Sequence, residues 1–429
     1  MKSIVGNRLA GLLASTTGAV AVRASKVLAW NALRLGFQLV WAIALARTLG
    51  AEGYGIFSGV AGLAVGLSGL VGAGLGLRMY QDAVTNPAVF DRRWAQAKRA
   101  LAWSGLFLGS AFVAAAAVWD FLPDATIVLF VAVAISELVM APAVTLIAFG
   151  YAAKGRMADS AMAPALLSLA RMVAAGVFLL APVGATLSSY AVLHVAATAL
   201  AVLLLTWQFR RTVPIGSASS AVDSGDIAIG MGFTSIWFSG AALGSFDKAA
   251  ALHWGGAVSA GAYTASHRFA SLLALPVEAL LMTALPHLFK ARFEPENGWG
   301  VIVKLLLATT GYGLLAGVAL WWLATALPWI LGSAFNESVE AARVLAWYLP
   351  VFCLRSLAAN ILLAFQQKAW RFSSEMGALL VLLVLVASWA PAGGGVAPAK
   401  ALLMTEMVLM LAMWARVLPL FWKLRTGTQ

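Results

Sequence analysis

Charge is almost absent from twelve long stretches of this chain, approximately residues 26–47, 54–77, 99–119, 124–150, 161–181, 184–209, 229–254, 261–284, 301–325, 337–364, 373–391 and 395–422. A helix needs about 20 mostly apolar residues to cross the hydrocarbon core of a bilayer. Inside that core only helices and closed barrels satisfy every backbone N–H and C=O, and runs this long select helices. The stretches therefore predict an all-α polytopic membrane protein with about 12 transmembrane helices. Composition agrees: 62% of the 429 residues are hydrophobic and 11% charged, against about 45–50% and about 25% in soluble domains. The connections are short, so the spans account for nearly the whole chain.

A net charge of +12 would suggest a nucleic-acid partner in a soluble protein, but here placement decides. Lys and Arg near span ends set orientation. Twenty of them fall on one side (Lys2, Arg8, Arg23, Lys26, Arg78, Arg92, Arg93, Lys98, Arg99, Lys154, Arg156, Arg210, Arg211, Lys290, Arg292, Lys304, Lys368, Arg371, Lys423 and Arg425) and three on the other (Arg47, Arg343 and Lys400). That asymmetry predicts that both termini are cytoplasmic, with the basic side drawn to anionic lipid headgroups. Nucleic acid is thereby excluded as a partner. The one cysteine, Cys353, lies in an apolar span, which excludes an intramolecular disulfide. Residues 9–22 could pass for a signal peptide, but the run is short, polar at its middle and followed by more basic residues. A helix on the inner leaflet is the better expectation for residues 1–25.

The most hydrophilic internal segment, "RRTVPIGSASSAVDSGD" (Arg210 to Asp226), divides the spans into two lobes of six: an N-lobe over 26–209, a cytoplasmic linker over 210–228, a C-lobe over 229–422 and a tail over 423–429. The halves resemble each other. "LGAEGYGIFSG" and "WGGAVSAGAYTAS" follow the first span of each, and 24 positions separate both Tyr54 from Arg78 and Tyr263 from His287. An even number of spans per repeat gives copies of the same orientation, related by an axis along the membrane normal.

Charges inside spans are costly and usually face a partner or a wet cavity. Arg34, Glu137, Arg171, Asp247, Lys248, Arg268, Glu278, Arg355 and Glu406 all qualify. In the first span Asn31, Arg34, Gln38 and Trp41 recur at helical spacing on one face. The plainer alternative is a packing stripe with Arg34 paired to an acid. Asp247 and Lys248 are consecutive, so they point about 100° apart and are expected to serve different neighbours. Tyr263, His267, Ser271 and Glu278 share a face of the eighth span, where His and Glu could relay a proton. A His near a helix end is more often simply interfacial. Arg171, Glu137 and Glu406 read as inter-helix pairs. No phosphate-binding G-x-x-x-x-G-K-[ST] loop, metal-spaced His/Cys cluster or G-x-S-x-G elbow appears, and "VGAGLGLR" (Val71 to Arg78) lies in a span with no strand before it.

"LARTLGAEGYGIFSGVAGLAVGLSGLVGAGLGLRMYQD" (Leu45 to Asp82), "SFDKAAALHWGGAVSAGAYTASHRFASLLALPVEALLMTALPHLFKA" (Ser245 to Ala291) and "AARVLAWYLPVFCLRSLAANILLAF" (Ala341 to Phe365) resemble the Wzx-type polysaccharide flippases of the multidrug/oligosaccharidyl-lipid/polysaccharide exporter superfamily. The resemblance covers most of the chain; the last two spans match in hydrophobicity alone. It implies that a non-enzymatic, alternating-access protein moves an undecaprenyl-pyrophosphate-linked oligosaccharide from the cytoplasmic to the periplasmic leaflet. A polysaccharide polymerase or glycosyltransferases would be the protein partners. On that reading Arg34, Lys248, Arg268 and Arg355 hold the pyrophosphate, all being able to donate to phosphate, and Asn31, Gln38, Trp41 and Tyr263 line the sugar path. Asp247, Glu278 and His267 supply charge balance or bind a coupling ion, a proton or Na⁺; no other cofactor is expected. A cation-coupled drug or metabolite exporter of the same superfamily is the nearest rival, and a membrane enzyme of polysaccharide polymerisation the rival from another class.

Overall fold

The computed structural model of the chain describes the backbone of residues 2–118, 122, 125–180, 186–218, 221–222, 224–291 and 295–426, with nearly all side chains between residues 25 and 420. The interfacial placement expected for residues 1–25 and the tail 423–429 lie outside the described side chains. Among the described residues are fourteen α-helices, joined by short 3₁₀ turns, one π-helical stretch and irregular segments: α1 (Lys2–Ser68), α2 (Leu75–Thr85), α3 (Phe90–Val118), α4 (Ile127–Val133), α5 (Ala141–Ala153), α6 (Met157–Leu180), α7 (Leu187–Thr212), α8 (Ser224–Leu243), α9 (Phe246–Ala291), α10 (Pro295–Ala324), α11 (Leu327–Leu331), α12 (Ser338–Ala364), α13 (Lys368–Gly393) and α14 (Val396–Thr426).

Ten continuous helical stretches among the described residues are long and apolar enough to cross a membrane, and two are far longer than one crossing needs: Ser25–Ser68 with 44 residues and Gly225–Leu285 with 61. At about 1.5 Å per residue these would span roughly 66 and 92 Å, against about 30 Å of hydrocarbon. Each breaks at a glycine in the left-handed region, Gly50 (φ 67°) and Gly256 (φ 80°), a conformation that costs a side chain-free residue little. The chain folds back at both points. Trp41, nine residues before Gly50, meets Phe57, seven after it, with ring centroids 6.0 Å apart. Asp247 and Tyr263 stand at the same two distances from Gly256 and are hydrogen-bonded. With two passes each, the twelve expected spans are all accounted for.

This geometry corrects the internal register. Pairing Tyr54 with Tyr263 set the halves 209 positions apart, whereas the structure sets them 206 apart: Gly50 with Gly256, Ala51 with Ala257, Gly55 with Gly261. A Cβ on Gly55 would collide with the Ala257 carbonyl, and one on Gly261 with the Ala51 carbonyl. Small residues at this spacing let helix backbones approach within van der Waals contact. Going down from that seal, Gly59, Gly62, Gly66 and Gly69 of the second span face Leu252, Ser245, Phe246 and Phe238 in turn, so spans two and seven run antiparallel in close contact.

One continuous apolar core joins both lobes at the glycine-turn end, through Tyr54, Phe57, Tyr263, Phe335 and Leu345. A second cluster, with Met79, Trp94, Tyr151 and Phe209, belongs to the N-lobe alone at the linker end. There the first and eighth spans stand clear, with residues 31–33 and 278–280 exposed. Large apolar side chains cover the outside, such as Phe107, Trp322 and Trp329, as a lipid-facing surface requires.

A charged cavity between the lobes

The space left between the lobes is a cavity of about 410 Å³ lined by Arg34, Gln38, Trp41, Glu137, Ser168, Arg171, His194, Lys248, Thr264, His267, Arg268 and Ser271, among others. It adjoins a second space of about 430 Å³ that shares Arg34, Gln38, Glu137 and Arg171 and reaches toward the linker side past Leu77, Phe149 and Trp237. At the opposite end the glycine seal closes it, reinforced by Tyr54 against Phe335 with ring centroids 6.0 Å apart. Arg47 ties the first span to the α11 region there, donating to the carbonyls of Ile330 (2.7 Å) and Trp329 (3.0 Å).

The first-span stripe faces this cavity. Arg34 is partly buried and, among the described residues, has no hydrogen-bond or ion-pair partner. Gln38 donates to Ser168 (3.4 Å), and Trp41 Nε1 donates to the Tyr190 hydroxyl (2.6 Å). Arg268 lies over the Trp41 ring at 5.1 Å, with no carboxylate on it. His267 also lines the cavity, its Nδ1 3.4 Å from the Ser271 hydroxyl.

Several expectations are corrected. Asp247 and Lys248 do pair: Lys248 Nζ donates to both carboxylate oxygens (2.8 and 3.1 Å) and to the Gly244 carbonyl (2.8 Å). The 100° divergence holds for the Cβ directions, but a four-carbon stem at the first turn of α9 curls back over it. Lys248 thus reaches the cavity already neutralised, and Asp247, 1% exposed, does not reach it. Tyr263 is wholly buried and donates to Asp247, so it is a support for that carboxylate and no part of a sugar path. Asn31 and Glu278 are exposed on the linker-side ends of spans one and eight, below the cavity, and Glu278 is not brought to His267. Arg355 is bound at 2.5 Å to Glu406 inside the C-lobe and lies over Phe352, away from the cavity.

Sequence reasoning missed the most connected part of the wall. Glu137 forms an ion pair with Arg171 (2.7 Å), accepts a hydrogen bond from it (3.4 Å) and accepts from His194 Nε2 (3.1 Å); Arg171 also donates to Thr198 (3.2 Å), and His194 Nδ1 faces the Tyr190 hydroxyl at 3.4 Å. A neutral imidazole protonated on Nε2 satisfies every step from Trp41 through Tyr190 and His194 to Glu137. The expected inter-helix pair is there, but it faces the cavity. Glu137 is placed by a π-helical stretch, Ala134–Met140, between α4 and α5. Pro142 has no N–H to give the Leu138 carbonyl, which favours the wider turn. Gly105 of α3 fits beside that carbonyl, 2.7 Å from where its Cβ would be. The readable signals were Pro142 and the stripe Tyr190, His194, Thr198, spaced four apart on the sixth span.

Toward the linker side Asp226, at the start of α8, binds the N-lobe through Arg78 (2.8 Å), Arg93 (2.7 Å) and Gln96 (3.0 Å), while Arg93 also holds Asp82 (2.7 Å). "VGAGLG" proves to be a break in the second span, with positive φ at Gly72, Ala73 and Gly74, that lets Gly74 pack on Gly230.

This all-α bundle shares its fold with solved transporters of the MOP superfamily. Among solved structures, the chain is similar to an inward-facing multidrug resistance MATE transporter of that superfamily (13% identity, 95% of this chain and 99% of the other, TM-score 0.67) and to the lipid II flippase MurJ in an inward closed conformation (11%, 94% and 90%, TM-score 0.70). An outward-facing MATE structure gives 14% identity, 94% and 96% coverage and a TM-score of 0.59. The sequence matches no protein-family profile and no curated protein sequence.

Proposed function

We propose that this protein is a flippase that carries a polyprenyl-pyrophosphate-linked oligosaccharide from the cytoplasmic to the periplasmic leaflet by alternating access of its two lobes, in the manner of the Wzx branch. The observation that carries this reading is the pair Arg34 and Arg268, cations inside a membrane cavity with no carboxylate on either. An unpaired guanidinium at that depth is costly unless a ligand supplies the anion, and its planar fork suits a phosphate. Arg171 and Lys248 also line the cavity, but each is neutralised by the carboxylate it holds. Gln38, Ser168, Thr264 and Ser271 offer neutral hydrogen-bonding groups for sugars on the same walls. Substrate would enter from the linker side, which the basic residues mark as cytoplasmic. Asp247 and His267 are the candidates for a coupling proton or Na⁺, and a polymerase or glycosyltransferases would act on either side of the transfer step.

The MATE likenesses support the rival reading of a cation-coupled drug exporter, but a cavity with two free guanidinium groups would repel cationic drugs. The test is transfer of a fluorescent polyprenyl-pyrophosphate oligosaccharide across proteoliposomes containing the full chain. Wild type should expose the head group to a membrane-impermeant glycosidase within minutes, and Arg34→Ala with Arg268→Ala should not. Transfer by the double variant at the wild-type rate, or drug efflux in place of lipid transfer, would overturn the assignment.

A further inference from the structure

A third cavity, of about 570 Å³, lies outside the lobe interface, between α3, α5, α7 and the irregular linker segment 213–218. The transport reading makes no use of it. Its wall is apolar: Leu101, Ala143, Leu146, Ile147 and Phe209. Trp94 stacked on Phe209, ring centroids 4.6 Å apart, stiffens its floor. Two cations, Lys98 and Arg210, stand on its rim, each exposed and without a partner among the described residues. Asp91, toward Gly216, is the one acid of the lining, so the site carries one net positive charge.

The position fixes what such a pocket can take. Lys98 and Arg210 sit where the third and sixth spans leave the bilayer on the linker side, and the apolar wall continues into the spans. A free anion would satisfy the cations but leave the wall wet; an apolar ligand would fill the wall but leave the cations bare. A molecule with one phosphate and acyl chains does both. Basic pockets between transmembrane helices are where such headgroups bind, and the volume lies within the roughly 300–1,000 Å³ of ligand sites. We infer that this pocket binds a monoanionic phospholipid, its phosphate between Lys98 and Arg210 and an acyl chain along Leu101, Leu146 and Ile147. Leu101 and Leu146 also line the lower part of the inter-lobe space, so the lipid would back directly onto the wall of the cavity. The inference rests on the membrane fold and is independent of the transported substrate.

Native mass spectrometry of the full chain, released from detergent with phosphatidylglycerol or phosphatidylcholine, tests it. Wild type should retain phosphatidylglycerol in preference. Lys98→Ala with Arg210→Ala should weaken retention roughly thirtyfold, each basic group near the surface supplying about a fivefold preference. Arg92→Ala with Lys368→Ala removes the same charge outside the pocket and should leave retention unchanged. Ala143→Phe, which fills the pocket and keeps both cations, should also lose the lipid, and each variant is compared only as a monodisperse sample with wild-type melting. Equal loss in the control pair, equal retention of the two lipids, or displacement of the lipid by excess inorganic phosphate would overturn the proposal.

Discussion

The seal between Gly55 and Gly261 gives the most direct test of alternating access. In Gly55→Leu the new side chain meets the Ala257 carbonyl and the Gly261 backbone, which cannot rotate aside as a flexible side chain would. Overpacking of this kind costs about 1–3 kcal/mol, and it falls on the sealed conformation alone, since the contact vanishes when the lobes part. The equilibrium should therefore move about 5- to 150-fold toward the form open at the glycine turns. Because Cys353 is the only cysteine, Cys353→Ser gives a clean background for Ser58→Cys. Ser58 lines the cavity on the second span and is 8% exposed. Labelling of that thiol by a membrane-impermeant maleimide added outside intact cells should accelerate at least about fivefold in Gly55→Leu. Gly36→Leu, with nothing within 4 Å of its Cβ, should label at the parental rate. A folded Gly55→Leu protein that also labels at that rate would show that the glycine contact does not govern access.

Three further outcomes follow from buried and half-buried charges. Glu137→Gln strands Arg171 beside the cavity; breaking such a pair costs about 3 kcal/mol or more in full burial, and a clear fall in melting temperature in detergent is expected, with Glu137→Leu combined with Arg171→Met recovering most of it. If the double variant melts no higher than the single one, the pair is not what Glu137 contributes. Tyr263→Phe takes the donor from buried Asp247 and should destabilise the chain by about 1.5–3 kcal/mol, whereas Tyr348→Phe, whose hydroxyl makes no hydrogen bond among the described residues, should lower melting less; equal effects would mean that only packing was disturbed. Asp226→Asn weakens the anchor from α8 to Arg78 and Arg93 and should speed proteolysis between residues 213 and 222 severalfold, and an unchanged cleavage rate would mean the cluster does not restrain the linker.

Span number and lobe division were legible because they depend on length and hydrophobicity, which lipid imposes residue by residue. Arg34, Gln38, Trp41 and His267 were legible because helical spacing carries a polar stripe to one side; Arg268, expected on another face of its span, was legible only as a charge within an apolar run. What lay beyond reach was tertiary reach and local winding. Lys248 turns back onto Asp247 because a long side chain is not bound to the direction of its Cβ. Glu137 enters the cavity because a π-helical stretch shifts its face from the one α-helical counting gives. Asn31 and Glu278 belong to correct stripes, but those stripes continue past the cavity floor. The repeat was visible, yet aligned on Tyr54 and Tyr263, which are chemically alike, when the backbone aligns on Gly50 and Gly256.

The glycine seal is formed by a patch meeting its own duplicate: Ala51 and Gly55 on one copy against Ala257 and Gly261 on the other. Within a single chain this is the geometry of a twofold dimer interface, where each contact is made twice. The two contacts lie beside the pseudo-axis and share the same pair of helices, so neither can lengthen while the other stays in place. Parting the lobes there must break both together, which makes the opening a concerted event with few stable halfway positions. On the transport reading proposed above, that property guards against a leak, because it disfavours a state open at both ends at once.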